Sequence, residues 1–229
     1  MSDYTEVIVL VEGQTEKIFV ESMLLLQLAE RGVFLTPIII SKPGQKGGDV
    51  RFARVKKDIE LHLKQRTNTY VTLFVDYYGI GPDWPGLAEA RLQITPAQKA
   101  AMINRSTKED VERLFGPYGA DHRFIPYVAM HEFETLLFSD PSVLAENLCV
   151  NISDVEQIIT ACGEPENIND SPVTAPSKRL KGLSDRFRKT STGIGIAQAI
   201  GLEKMREQCT LFNEWLTVIE NLTKAKVDH

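Results

Sequence analysis

An α/β fold, with a mainly parallel four-stranded sheet flanked by helices and a helical C-terminal half, is what the sequence predicts. Three observations carry it. Apolar, β-branched runs recur at residues 7–11, 32–40, 70–75 and 123–130. Segments of helical periodicity separate them, as parallel strands joined by right-handed crossovers require. Beyond about Ser139 strand signals stop and short helical pieces follow one another.

The first element is "VIVLVEGQTEKIF". Residues 7–11 are apolar on both faces, which predicts a strand covered on both sides. Glu12 sits at its carboxyl tip, Gly13 permits a turn at positive φ, and Thr15 is a cap for a helix with Ile18, Phe19, Ser22, Met23 and Leu26 on one face. "GVFLTPIII" is the second strand. The loop "SKPGQKGGDV" then opens a helix over about 49–65, and "YVTLFV" is a third strand ending on Asp76. "YYGIGPDWPG" is punctuated by Gly and Pro and reads as a loop. Thr95-Pro96 starts a helix with Pro at its first position, and Ser106 with Glu109 forms a capping-box signature for another helix ending at Phe115. "RFIPYVAM" is the fourth strand, leading into "HEFETLLF". The helical remainder comprises "PSVLAENL", "SDVEQIITACG", "APSKRLKGLSDRF", "IGIAQAIGLEKMREQC" and "FNEWLTVIENL". The expected division is an α/β domain over 1–139 and a helical subdomain over 140–229, packed on it.

The 229 residues and 43% hydrophobic content suit a soluble chain with a sizeable core. A formal net charge of −5 excludes a global basic footprint for nucleic acid but not a local one. Cys149, Cys162 and Cys209 are scattered and odd in number, which argues against a disulfide framework or a zinc site. No signal-peptide pattern precedes the first strand and no apolar run approaches a membrane span, so a cytoplasmic protein is expected.

Three of the four predicted strands end in acidic segments: Glu12, Asp76 and the Glu132/Glu134 pair. In parallel sheets the functional crevice lies outside the carboxyl ends of the strands. Carboxylates gathered there repel one another unless a proton or cation is shared. Mg²⁺, held by a few carboxylates with water and phosphate, meets that need. Any one of these acids alone reads as a helix cap or an ion-pair partner; all of them at one sheet edge read as a site.

"VEGQTE" before an amphipathic helix, followed by a strand ending in Asp76, resembles the TOPRIM fold of topoisomerases, DnaG-type primases and overcoming-lysogenization-defect nucleases. With "HEFETLLF", "PENIND", "APSKRL" and a late "AIGL", the chain is identified as a member of a bacterial family of uncharacterised TOPRIM-like proteins. The resemblance implies a Rossmann-like TOPRIM half, Mg²⁺ (or Mn²⁺) dependence and nuclease chemistry. It also implies a role in anti-phage defence beside an AAA- or ABC-type ATPase. Glu12 matches the acid assigned general acid/base and metal-adjacent work, and Asp76 the first acid of the Asp-x-Asp pair. The second acid is absent, Tyr78 standing in its place.

The remaining candidates divide between a site and a simpler role. Glu16 falls in a first helical turn, where the helix dipole already favours a carboxylate. His131 reads as a hydrogen-bonding neighbour of the acids, since no HxxxH pair accompanies it. "SKPGQKGG" lacks P-loop spacing and reads as a flexible loop, with Lys42 and Lys46 as the candidate phosphate contacts on it. Lys178, Arg179, Lys181, Arg186, Arg188 and Lys189 form the densest basic stretch, equally a solvated face and a track for backbone phosphates, with Lys178 and Arg179 as the contacts. Trp84 lies in a Pro/Gly loop near the presumed site; Trp215 has core spacing with Phe212 and Ile219.

Two readings follow. In the first, the chain is a Mg²⁺-dependent nuclease or related phosphoryl-transfer protein with Glu12, Asp76 and Glu132 catalytic and Glu12, Asp76, Glu132 and Glu134 as metal ligands. Glu132 and Glu134, two residues apart, are expected to point to opposite sides, with Glu132 toward the crevice. In the second, Tyr78 marks a catalytically silent module that binds a partner ATPase or nucleic acid.

Overall fold

The computed structural model describes residues 4–40, 50–168 and 174–223. Strand β1 (Thr5–Val11) runs parallel between β2 (Val33–Ile39) and β3 (Thr69–Asp76). Val7, Val9, Leu10 and Val11 are fully buried, as a strand covered on both faces demands. At the edge, β2 leaves Phe34 and Ile39 exposed and carries Pro37, whose missing N–H suits an edge position. Val11 is level with Ile39 on one side and Phe74 on the other, so the tips of β1 and β3 share one end of the sheet.

The fourth strand is divided. β4 (Phe124–Ile125) and β5 (Val128–Ala129) both pair in parallel with β3, giving a five-stranded sheet ordered β2-β1-β3-β4 with β5 off that path. Pro126 between them has no N–H to continue the ladder.

Helix α1 (Gln14–Phe19) is capped by Gly13 at φ −152° and ψ −169°, so the positive φ expected of Gly13 is not used. Thr15 is inside the first turn and buried, not the cap. The helix passes through a π turn (Val20–Leu24) into α2 (Leu25–Ala29). The wider turn rotates the buried face onto Phe19, Val20, Leu24 and Leu28, leaving Leu26, expected inside, 66% exposed.

Helix α3 (Phe52–Gln65) buries Phe52, Val55, Ile59 and Leu63, and Asp83 Oδ2 accepts from the Ala53 amide (3.0 Å) in its first turn. After the short α4 (Leu87–Arg91), α5 (Pro96–Phe115) is one helix of 20 residues. Thr95 and Gln98 make its capping box. The Ser106/Glu109 signature lies in the helix interior, because no Gly or Pro interrupts the preceding residues. Trp84 is core, its Nε1 donating to Thr107 Oγ1 (2.9 Å) and its ring edge-on to Phe52. In the short α6 (Ala120–Arg123), the buried Arg123 guanidinium donates to the carbonyls of Thr69 (3.0 Å), Leu63 (3.1 Å), Tyr118 (2.7 Å) and Arg66.

By contacts the chain forms two units, Met1–Ala129 with Thr217–His229, and Met130–Leu216. The second begins with a buried 3-10 segment, Phe133–Ser139. Helices α7 (Pro141–Leu148), α8 (Ile152–Cys162), α9 (Pro176–Leu183), α10 (Ile194–Ile200) and α11 (Leu202–Gln208) follow, with a π turn over Lys189–Gly193, and α12 (Thr210–Glu220) begins in this unit and continues past its last residue, Leu216. No strand follows β5 among the described residues. Phe138, Val155, Leu180, Phe187, Met205 and Phe212 are fully or almost fully buried in this unit. No helix among the described residues is long and apolar enough to cross a membrane.

Candidate functional site

Glu12 follows β1 directly and Asp76 is the last residue of β3. Their strands are neighbours in register, so both acids stand at the carboxyl end of one sheet. The loop after Asp76 is anchored from several directions. Asp76 Oδ1 accepts the Tyr78 amide (2.9 Å), and the Gly79 amide donates to the Asp76 carbonyl (3.0 Å). Val50 N donates to the Gly79 carbonyl (2.8 Å), Gly81 N donates to the Val50 carbonyl (2.9 Å), and Tyr77 N reaches the Ala129 carbonyl (2.8 Å). This loop lies against Glu12: a Cβ on Gly79 would stand 2.5 Å from Glu12 Oε2. Sequence reasoning missed Gly79, although a glycine three residues after a strand-tip acid is the available signal.

Glu132 and Glu134 meet in the second unit, around Lys189. The Lys189 ammonium lies 3.0 Å from Glu132 Oε1 and 2.8 Å from Glu134 Oε1. The expectation that the two carboxylates point to opposite sides fails. Glu132 is extended at the start of the 3-10 turn, and its long side chain reaches the same cation as Glu134. Glu132 Oε2 also accepts the Ser177 amide (3.0 Å) in the first turn of α9, whose N-cap residue Ala175 offers no side-chain acceptor. Burial pushes the Glu132 carboxyl up, but the Ser177 hydrogen bond and the Lys189 charge outweigh it and hold it below the usual range. For Glu134 burial prevails and raises the carboxyl to about 6. Burial also works against the charge on Lys189, yet the two carboxylates outweigh it and hold the ammonium more firmly protonated than usual.

His131 is buried, with Nε2 donating to the Glu166 carbonyl. The Glu166 carboxylate in turn accepts the Leu211 (2.8 Å) and Phe212 (3.0 Å) amides in the first turn of α12. Lys178 is exposed on α9; Arg179 is turned inward, donating from Nε to the Thr174 carbonyl (2.9 Å). Lys42 and Lys46 lie outside the described residues. Among the described residues, no group of three or more His, Cys, Asp or Glu side chains is arranged to hold a metal ion. Glu12 and Asp76 supply two carboxylates, within the one or two that Mg²⁺ takes from protein when water and phosphate complete its shell. At Glu132 and Glu134 an ammonium already provides the counter-charge.

The family described as "Domain of unknown function (DUF4276)" matches over residues 11–220. No curated protein matches the chain. A solved structure of the C-terminal region of the Xanthomonas campestris pv. campestris OLD protein is similar at 14% identity and a TM-score of 0.45, over 99% of each chain.

Proposed function

The chain belongs to the DUF4276 family, and we propose that it is a Mg²⁺- or Mn²⁺-dependent phosphoryl-transfer protein of nuclease type. The observation that carries this reading is the placement of Glu12 and Asp76 at the carboxyl ends of adjacent parallel strands. That end of a parallel sheet is where ligands of open α/β folds bind. A divalent ion held there would stabilise charge on phosphoryl oxygens and acidify a bound water. Asp76, oriented by the Tyr78 amide, and Glu12, packed on Gly79, would hold it. Glu12 is also the group to take up a proton from the attacking nucleophile. Lys178, exposed on α9, is the candidate contact for backbone phosphate. The biological setting we propose is bacterial anti-phage defence with an AAA- or ABC-type ATPase partner.

A second reading, a silent module that binds such an ATPase or nucleic acid, is favoured by Tyr78. It stands 45% exposed where a second metal-binding acid would be needed for two-ion chemistry. Nuclease assay of the purified chain on DNA and RNA with Mg²⁺ and Mn²⁺, alone and with a neighbouring ATPase, separates the two. Metal-dependent cleavage abolished by Glu12→Gln or Asp76→Asn supports the first. Nucleic-acid or ATPase binding without cleavage, unchanged by those variants, supports the second.

A further inference from the structure

Gly79 has no conformational need to be glycine. Among the described residues the positive-φ glycines are Gly32, Gly86, Gly119, Gly163 and Gly201, and Gly79 is not one of them. What distinguishes it is proximity. A Cβ placed on it would fall 2.5 Å from Glu12 Oε2 and 3.2 Å from both Glu12 Cδ and Oε1, so the whole carboxylate lies against this one α-carbon. The backbone there is tied on two sides, by its amide to Asp76 (3.0 Å) and by its carbonyl to Val50 (2.8 Å). A side chain at 79 would therefore be accommodated by movement of the Glu12 carboxylate, the far end of a flexible side chain, before movement of the loop.

We propose that Gly79 is a positioning residue: its bare backbone is the seat that fixes where the Glu12 carboxylate stands relative to the tip of β3. The loop that carries Gly79 springs from Asp76, so one short segment sets both acids. Asp76 is oriented through the Tyr78 amide and Glu12 through contact with Gly79. The catalytic consequence rests on the phosphoryl-transfer reading above; the contact itself does not.

The test is a double-mutant cycle on the full chain using Gly79→Ala, Glu12→Asp and the pair, with Gly116→Ala as control. A Cβ at Gly116 meets nothing within 4 Å. Gly79→Ala is expected to keep its Tm within about 2 °C of wild type, a small shift for a chain of this size. It is expected to shift the ¹³C resonance of the Glu12 carboxyl, while Gly116→Ala leaves it unchanged. Cleavage by the Gly79→Ala variant should fall by about 100-fold in kcat, the effect of misplacing a reacting group by roughly 1 Å. In the Glu12→Asp background, where the shorter side chain withdraws from the seat, adding Gly79→Ala should cause little further loss in kcat. An unchanged Glu12 resonance in Gly79→Ala overturns the proposal. So does an equal loss in the wild-type and Glu12→Asp backgrounds, which would mark a general effect on the loop. If wild type shows neither cleavage nor Mn²⁺ binding by calorimetry, the phosphoryl-transfer reading fails, and the carboxyl resonance still decides the seat.

Discussion

Lys189 holds Glu134 at 2.8 Å, an ion pair in which the carboxylate side chain is 1% exposed and the lysine 39% exposed. Such a pair is costly to break from one side, because the remaining charge stays buried. Lys189→Met should lower stability by about 2–3 kcal/mol, less than for a fully buried pair because Lys189 is partly screened by solvent. The combination Lys189→Met with Glu134→Gln should recover part of that loss. Urea unfolding of wild type and the two variants checks this, and a loss in Lys189→Met too small to resolve would show that the cluster contributes nothing net.

Glu166 supplies the pH dependence. Burial pushes its carboxyl up from 4.5 to about 7, against the opposing pull of the Leu211 and Phe212 amides. With the folded value above the unfolded one, the folded protein keeps this proton longer as pH rises. The contribution is fully present below about pH 4.5 and is lost on going toward pH 7, by on the order of 3 kcal/mol. Glu166→Gln, which keeps an acceptor for the helix amides, should flatten that part of the stability–pH curve. A slope identical to wild type between about pH 4.5 and pH 7 would remove Glu166 from the account.

Glu12→Gln and Asp76→Asn conserve volume and remove charge. Asp76→Asn also keeps an oxygen for the Tyr78 amide. Relieving repulsion between neighbouring acids should leave Tm unchanged or slightly raised while activity is lost. A clearly lowered Tm, read by calorimetry, would identify these acids as structural partners.

Arg123 serves four carbonyls while only 4% exposed. Arg123→Met leaves those acceptors without their donor and should destabilise by about 3–5 kcal/mol. Arg123→Lys should recover little, since a point charge cannot span the positions that a planar fork reaches. Chemical denaturation of both variants tests the difference.

The sequence by itself determined the parallel sheet and its acidic end. The apolar run in β1 and the acids at the tips of β1 and β3 are local patterns, and parallel topology alone brings such tips to one edge. It determined the capping of α5 at Thr95-Pro96, since that signal lies within one turn. Tertiary structure decided the rest. Whether Ser106 starts a helix depended on the uninterrupted helix before it, and the face of the first helix depended on a π turn that has no sequence period. Lys189 belonged to a basic run that read equally as a solvated face or a phosphate track. Only the fold brings it across 57 residues to Glu132, where a buried and a half-buried carboxylate need a counter-charge. Gly79 and Glu12 likewise meet only once β1 and β3 are side by side, because a close approach between backbone and side chain depends on distance in space and leaves no periodic trace in the chain.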